Sequence, residues 1–179
     1  RLAKFLRLLS SNQIENIEWN KKNKITYSDV TKKIPLRDNT VECIYTSHML
    51  EHLSRDEVVK FLKEALRVLE PDGVLRVSVP DLNIIVNDYI KNKNADEFME
   101  KLLVQAPPIN NVISKLKLFI SGYRHHQWMY DGKSLTLLLK SCGFKFIKIC
   151  KPGETQIKNH DNLNLHERSE QSVYVEGKK

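Results

Sequence analysis

Two stretches decide the fold: Tyr27-Ser-Asp-Val-Thr-Lys-Lys-Ile-Pro-Leu-Arg-Asp-Asn-Thr-Val-Glu-Cys-Ile-Tyr-Thr-Ser-His-Met-Leu-Glu-His-Leu53 and Arg67-Val-Leu-Glu-Pro-Asp-Gly-Val-Leu-Arg-Val-Ser-Val-Pro-Asp81. In the first, the β-branched and aromatic run Val41–Thr46, ending at Ser47, predicts a buried strand. Between the two stretches, Ser54-Arg-Asp-Glu57 predicts a capping box that starts an amphipathic helix. In the second, Glu70-Pro-Asp-Gly73 predicts a tight turn, and Val74–Val79 a strand that ends before Pro80. Helix, turn and strand in this order are half of a βαβ crossover.

The rest of the chain predicts further helices and strands around this unit. Alternation predicts a short strand over Lys24–Val30 and strands over Lys145–Cys150 and Gln171–Gly177, whereas the polar Asn12–Lys24 predicts irregular structure. Helical spacing of apolar residues predicts helices over Arg1–Ser10, Asp81–Lys91, Ala95–Gln105, Val112–Ile120 and the segment after Asp131 that ends at Gly143.

Composition narrows the class of protein. The 179 residues suit one domain, and no apolar run reaches the roughly 18–20 residues of a membrane helix, so no membrane partner is expected. The net charge of +7 comes from scattered lysines without aromatic-basic interleaving, which predicts a solvated surface and no nucleic-acid partner. Cys43, Cys142 and Cys150 are odd in number and sit in apolar surroundings, which favours reduced thiols and a cytoplasmic protein.

The spacing of the glycines is unusual for a chain with a predicted βαβ unit. Six are present, too far apart to form any Gly-x-Gly. They are Gly73, Gly122, Gly132, Gly143, Gly153 and Gly177. The chain therefore lacks the glycine-rich turn that brings backbone close to a nucleotide in related α/β folds.

The two quoted stretches together resemble the middle of a class I S-adenosylmethionine-dependent methyltransferase of a small bacterial branch. The resemblance covers residues 24–179, which we treat as the core of a single domain over residues 1–179, with residues 1–23 as a linker or helix. It implies an α/β, Rossmann-like sheet that is mostly parallel, has an antiparallel last strand and is N-terminally incomplete. The Arg1 start suggests that sequence upstream has been lost.

The resemblance also implies a cofactor site. It assigns the adenine contact to Asp29 and the backbone of Val30, and the groove under the methionine part of the cofactor to Ser47 and His48. His48 is the candidate catalytic base, because imidazole exchanges protons near neutral pH. The alternative for Asp29 is an Asx-turn, and the alternative for His48 is a structural hydrogen bond at the start of a helix.

The same hexapeptide supports a metal site instead. His48, Glu51 and His52 stand at i, i+3 and i+4, one face of a helical turn, which suits imidazole and carboxylate ligands. Some methyltransferases carry a Glu-x-x-Glu-His metal site at this place, although His48 replaces the first Glu here. A further ligand could come from His125 or His126, or the side chains could simply stabilise the turn.

The densest cluster of functional side chains is Tyr123–Tyr130. His126, Trp128 and Tyr130 are candidate acceptor-binding residues, since flat rings with polar tips suit a sugar or aromatic acceptor. Alternatively, the two aromatic residues fill the core under a loop. Asn162–Arg168 is either an acceptor loop or a structured connector.

Together, these expectations predict a methyltransferase that acts on a small-molecule or saccharide acceptor. S-adenosylmethionine is the implied cofactor, with weak affinity for this chain because the glycine turn is absent. The alternatives are a non-catalytic module that has lost the cofactor site and a metal-dependent enzyme. An unpaired central strand would expose a sheet edge, which predicts a homodimer through that edge.

Overall fold

A computed structural model describes residues 11–23, 25–104 and 125–179. Its helices are α1 (Ser11–Lys22), α2 (Arg55–Val68), α3 (Leu82–Asn92), α4 (Ala95–Leu102) and α5 (Gly132–Ser141). Its strands are β1 (Val41–Ser47), β2 (Leu69–Pro80), β3 (Lys145–Cys150) and β4 (Ser172–Lys178), and a single 3-10 turn spans Leu50–His52. The predicted helices over residues 1–10 and 112–120 lie outside the described residues. No helix in the described part of the chain is long and apolar enough to cross a membrane.

The four strands form one mixed sheet in the order β1-β2-β4-β3. β1 pairs with β2 in parallel, and β4 runs antiparallel to both β2 and β3. This confirms the predicted α/β class and the antiparallel last strand. Within the described ranges β1 is one edge of the sheet, and pairing of two chains through that edge stays a prediction.

The helix α2 follows the predicted capping box. The Glu57 backbone N–H donates to the Ser54 hydroxyl, and the Ser54 N–H donates to the Glu57 carboxylate. These bonds satisfy amides that the first helical turn leaves free. The apolar stripe of α2 then packs against the sheet through Val58, Phe61, Leu62, Ala65 and Val68.

The segment before β1 is an irregular loop, so the predicted strand over Lys24–Val30 is wrong for the described residues 25–30. Ile25 and Tyr27 are 56% and 96% exposed, and no described strand lies beside them to pair their backbone. Alternation alone does not make a strand when no neighbour accepts its hydrogen bonds. The loop is instead tied to α2, because Arg67 donates to the carbonyls of Ile34 and Leu36.

Two other boundaries differ from the sequence prediction. Ser11–Lys22 is helical rather than irregular, although its Trp19 is 58% exposed. β2 begins at Leu69 rather than Val74, because Leu69 pairs with Val41 before the register shifts. The predicted turn lies within this irregular part of the strand, where Asp72 adopts a left-handed φ of 65°.

A buried ion pair anchors the C-terminal loop over the sheet. Arg76 on β2 and Glu176 on β4 are both fully buried, with Nη1 and Oε1 2.7 Å apart. Arg76 also donates to the Glu154 carbonyl, and Glu176 accepts from the Thr155 hydroxyl and the Gln156 N–H. The pair therefore fixes the start of the loop that leads from β3 to β4 and carries Arg168.

Candidate functional site

His48 stands at the carboxyl end of β1, where the chain leaves the sheet. Its N–H donates to the Ser78 carbonyl of β2, and its backbone adopts a left-handed φ of 48°. The imidazole Nε2 lies 3.0 Å from the Ser172 Oγ at the start of β4. The neighbouring strands β1, β2 and β4 thus fix both the backbone and the ring of His48.

Glu51 places a buried carboxylate beside this imidazole. The residue is 1% exposed, and its Oε1 lies 3.3 Å from His48 Nδ1 and 3.8 Å from His52 Nε2. Neither carboxylate oxygen accepts a well-aligned hydrogen bond from the described residues. A buried carboxylate is costly unless a positive charge, a proton or a cation compensates it. The Glu51 carboxylate therefore needs a compensating positive charge or proton close to it.

His126 completes a group of three side chains around that carboxylate. The backbone N–H groups of Gln127 and Trp128 donate to the Glu51 carbonyl, which brings the distant segment onto the turn after β1. The His126 and His52 rings lie 5.0 Å apart, edge to face. Burial lowers the pKa of His126, which favours the neutral imidazole that can act as a ligand.

The donor atoms of Glu51, His52 and His126 lie within 4.8 Å of one another. One carboxylate and two imidazoles at this separation are a set that Zn²⁺ accepts as three protein ligands. The predicted metal alternative combined His48, Glu51 and His52 with a further ligand from His125 or His126; the donor atoms that converge in the structure are those of Glu51, His52 and His126. His48 instead faces Ser172 and the neighbouring cavity.

The two predicted aromatic acceptor residues have different environments. Tyr130 is 1% exposed, and its carbonyl accepts from the Leu82 N–H at the start of α3, which fits a core residue under a loop. Trp128 is 48% exposed. The Arg55 guanidinium lies 5.0 Å from the Trp128 ring centre and 5.5 Å from that of Tyr130, which fixes the open ring in place.

A cavity of about 350 Å³ opens beside His48. Its apolar wall includes Ile84, Ile85 and Leu103, and the polar groups around it include His126 and Arg168. The Arg168 Nη1 lies 3.4 Å from His48 Nδ1. A larger cavity of about 510 Å³ lies at the other end of β1, around Glu42 and Gly73, and is not lined by His48, His52 or His126.

Neither Asp29 nor Val30 lines the cavity beside His48 or the larger cavity around Glu42 and Gly73. Val30 lines an apolar groove of about 330 Å³ along the open edge of β1, together with Thr46 and Met49. The Asp29 carboxylate accepts from the Thr31 hydroxyl at 2.7 Å and the Thr31 N–H at 3.2 Å. These are the contacts of the predicted Asx-turn, and the Thr31 hydroxyl also holds the pKa of Asp29 below its usual range.

Comparison with known proteins agrees with this architecture. The model of a family described as "Methyltransferase domain" matches residues 8–77, the part that includes β1, α2 and most of β2. A solved SAM-dependent methyltransferase from Methanosarcina mazei is 17% identical, with a TM-score of 0.51. Residues 8–77 therefore resemble this methyltransferase family, and the described fold is that of a SAM-dependent methyltransferase. S-adenosylmethionine is the cofactor of this family.

The solved methyltransferases match most of this chain, but this chain matches only part of theirs. The match to the M. mazei methyltransferase covers 86% of this chain and 66% of that one. A SAM-dependent methyltransferase from Archaeoglobus fulgidus shows the same coverage, with 16% identity and a TM-score of 0.48. One from Aquifex aeolicus is 20% identical; the match covers 91% of this chain and 62% of that one, with a TM-score of 0.45. The chain thus spans just under two thirds of the first two solved methyltransferases. No curated protein matches it.

The groove beside β1 has features that fit a nucleoside. Its walls are apolar, as a base requires, and the Thr46 Oγ1 on its lining is buried without a hydrogen-bond partner among the described residues. The exposed Asp29 carboxylate precedes Val30 at its border. These residues offer an apolar floor and a polar acceptor at the carboxyl half of β1.

Sequence reasoning missed two residues of the candidate site. Ser172 and Arg168 both contact the His48 ring, but they lie 124 and 120 positions away from it along the chain. Only the pairing of β4 with β2 brings Ser172 to that place, opposite Pro80. The predicted acceptor loop over residues 162–168 was the one signal that pointed toward Arg168.

Proposed function

We propose that the chain transfers a methyl group from S-adenosylmethionine to an oxygen or nitrogen of a small-molecule or saccharide acceptor. The observation that carries this proposal is the position of His48 at the carboxyl end of β1: it lines the 350 Å³ cavity, while its chain neighbours Thr46 and Met49 line the groove with Val30. A base between a cofactor groove and an acceptor cavity suits methyl transfer, which needs alignment and the loss of one proton.

The roles of the chain's own residues follow from these positions. The cofactor, when bound, supplies a methyl group activated by a positively charged sulfur. When the cofactor is bound, Asp29 would accept from the adenine amino group, Val30 would contact the base, and Ser47 would contact the methionine part. His48 takes the proton that the acceptor loses, while the Glu51 carboxylate, 3.3 Å from Nδ1, orients the ring and stabilises its positive charge.

We assign acceptor binding to the 350 Å³ cavity that His48 lines. His126 lines the cavity, and the exposed Trp128 ring offers a flat face on which a sugar or an aromatic ring can stack. Tyr130 does not contact the acceptor; its ring and the Trp128 ring both pack against the Arg55 guanidinium, which positions Trp128.

We predict that replacing Asp29 with asparagine weakens S-adenosylmethionine binding by about tenfold, because the charged acceptor for the adenine amino group is lost. The matched control is Thr31→Ala, which removes the hydroxyl that holds the Asx-turn but keeps the carboxylate. Isothermal titration calorimetry of both variants measures the effect. Equal affinity in wild type and Asp29→Asn would remove Asp29 from the site, and no binding by any form at millimolar cofactor would favour the non-catalytic module.

A second candidate function is metal-dependent chemistry at Glu51, His52 and His126, because their donor atoms converge and no described residue gives the buried Glu51 carboxylate a well-aligned hydrogen bond. We predict about one Zn²⁺ per chain in protein purified without chelators, by elemental analysis. His126→Ala should lower Zn²⁺ affinity at least tenfold, since one of three protein ligands is removed. His160→Ala is the control, as His160 is exposed on a distant loop. Metal content that is absent, or equal in both variants, would exclude this candidate.

A further inference from the structure

The helix α5 and the edge strand β3 carry an uneven distribution of charge. Residues 132–153 contain five positively charged residues and no Asp or Glu, so this segment contributes 5 − 0 = +5 to a chain whose net charge is +7. The five are Lys133, Lys140, Lys145, Lys148 and Lys151. We call this surface the basic corner. Only Lys148 forms an ion pair among the described residues, with Glu154 from the following loop.

Large apolar side chains are exposed on the same corner. On α5, Lys133, Leu137 and Lys140 stand at i, i+4 and i+7, and Leu137 is 59% exposed. On β3, Phe146 is 73% exposed and Ile149 is 53% exposed. Ile149 packs so closely on Gly132 that a Cβ there would come within 2.7 Å of it, so helix and strand form one continuous surface.

Phe146 lies at an irregular position within the edge strand β3. Its φ is 46°, a left-handed conformation that a non-glycine aromatic residue rarely adopts, and the pairing of β3 with β4 shifts register between Lys145 and Lys148. The Gln156 side chain donates to the Phe146 carbonyl at 3.4 Å and supports this bulge. A strained position that exposes an aromatic ring is a feature that core packing does not explain.

We propose that the basic corner docks on an anionic lipid bilayer surface, with Phe146 and Leu137 entering the interface and the lysines facing lipid phosphates. Apolar side chains ringed by lysines match both layers of such a surface. A nucleic acid would match the charge but not the exposed aliphatic Leu137 and Ile149. A second copy meets repulsion, because lysines along β3 oppose pairing of two identical edges.

The position of the corner is compatible with the site already described. β3 is the edge strand farthest from β1 in the sheet order, so a bilayer on β3 leaves the carboxyl end of β1 and His48 free. This inference does not depend on the proposed methyl transfer, since no residue of the basic corner contacts the cofactor groove or the acceptor cavity.

The test is co-sedimentation of the full chain with vesicles of phosphatidylcholine, with and without about 30% phosphatidylglycerol, at two salt concentrations. The wild type should bind only the anionic vesicles, and less at high salt. Lys133→Glu/Lys140→Glu/Lys145→Glu should lower the partition coefficient at least tenfold. The matched control Lys60→Glu/Lys63→Glu/Lys91→Glu makes the same change in net charge on exposed residues of α2 and α3 and should bind severalfold better than the corner variant.

A second variant tests the apolar contribution without altering charge. Leu137→Ser/Phe146→Ser replaces two exposed side chains, should leave the fold intact by circular dichroism, and should lower vesicle binding by about threefold or more. Equal binding by corner and control variants, or no binding of the wild type, overturns the proposal. Binding to heparin at the wild-type level by Leu137→Ser/Phe146→Ser, with no vesicle binding by wild type, would identify a polyanion site instead and also overturn it.

Discussion

Replacing His48 with asparagine is expected to lower the rate of methyl transfer by about 10²- to 10⁴-fold, the range for loss of a general base. Asparagine is the informative choice because His48 has a left-handed φ of 48°, which asparagine tolerates better than most residues. The variant therefore keeps the backbone at the end of β1 while removing the proton acceptor beside Ser172. Release of S-adenosylhomocysteine measures the rate, with an acceptor selected from a panel of hydroxylated acids, amines and saccharides.

The kinetic pattern separates a base from a binding residue. If His48 takes the acceptor's proton in the transition state, kcat falls while KM for the acceptor changes little. His160→Asn, on an exposed loop, should retain wild-type kinetics. A His48→Asn variant with kcat within threefold of wild type would show that alignment alone supports the reaction and that His48 is structural.

Replacing Arg76 with methionine is expected to destabilise the fold by about 3–5 kcal/mol, the cost of leaving one member of a buried ion pair uncompensated. Arg76 and Glu176 are both fully buried, and the surviving carboxylate would keep the Thr155 hydroxyl and the Gln156 N–H as donors but no positive charge bonded to it among the described residues. For a chain of this length the loss corresponds to a Tm lower by roughly 6–20 °C. Thermal unfolding followed by circular dichroism measures it.

Two further variants make the Arg76 result specific. Arg76→Met/Glu176→Leu removes both charges and should recover much of the lost stability, because no buried charge remains. Lys101→Met breaks exposed ion pairs with Asp88 and Glu97 and should have a much smaller effect. A Tm for Arg76→Met equal to that of Lys101→Met would mean that the buried pair does not hold the C-terminal loop as described.

The sequence was informative where local chemistry decides the structure. The capping box at Ser54 and Glu57, the strand at Val41–Ser47 and the acidic cap at Asp131 are formed by neighbouring residues, and the structure shows all three. The strand over Lys24–Val30 failed because strand formation depends on a partner, which a sequence pattern does not supply. The helix over Ser11–Lys22 was missed because its polar residues show no apolar stripe.

Only those residues of the candidate site that are close together in the sequence could be predicted as a group. His48, Glu51 and His52 lie within five positions, so helical spacing alone placed them together. His126 reaches them through backbone bonds from Gln127 and Trp128 to Glu51, and Ser172 arrives through strand pairing. Such contacts depend on tertiary structure, which explains why the sequence left the further metal ligand open between His125 and His126.

The most direct test of the account is an NMR titration of the isotopically labelled chain with S-adenosylhomocysteine. We predict that the amides of Val30, Ser47 and His48 shift together, with half-saturation weaker than ~100 µM, because a pocket without a glycine-rich turn falls short of the roughly −8 kcal/mol that micromolar binding requires. Saturable shifts confined to the cavity around Glu42 and Gly73, at the opposite end of β1, or no shifts at Val30, Ser47 and His48 at millimolar ligand, would contradict it.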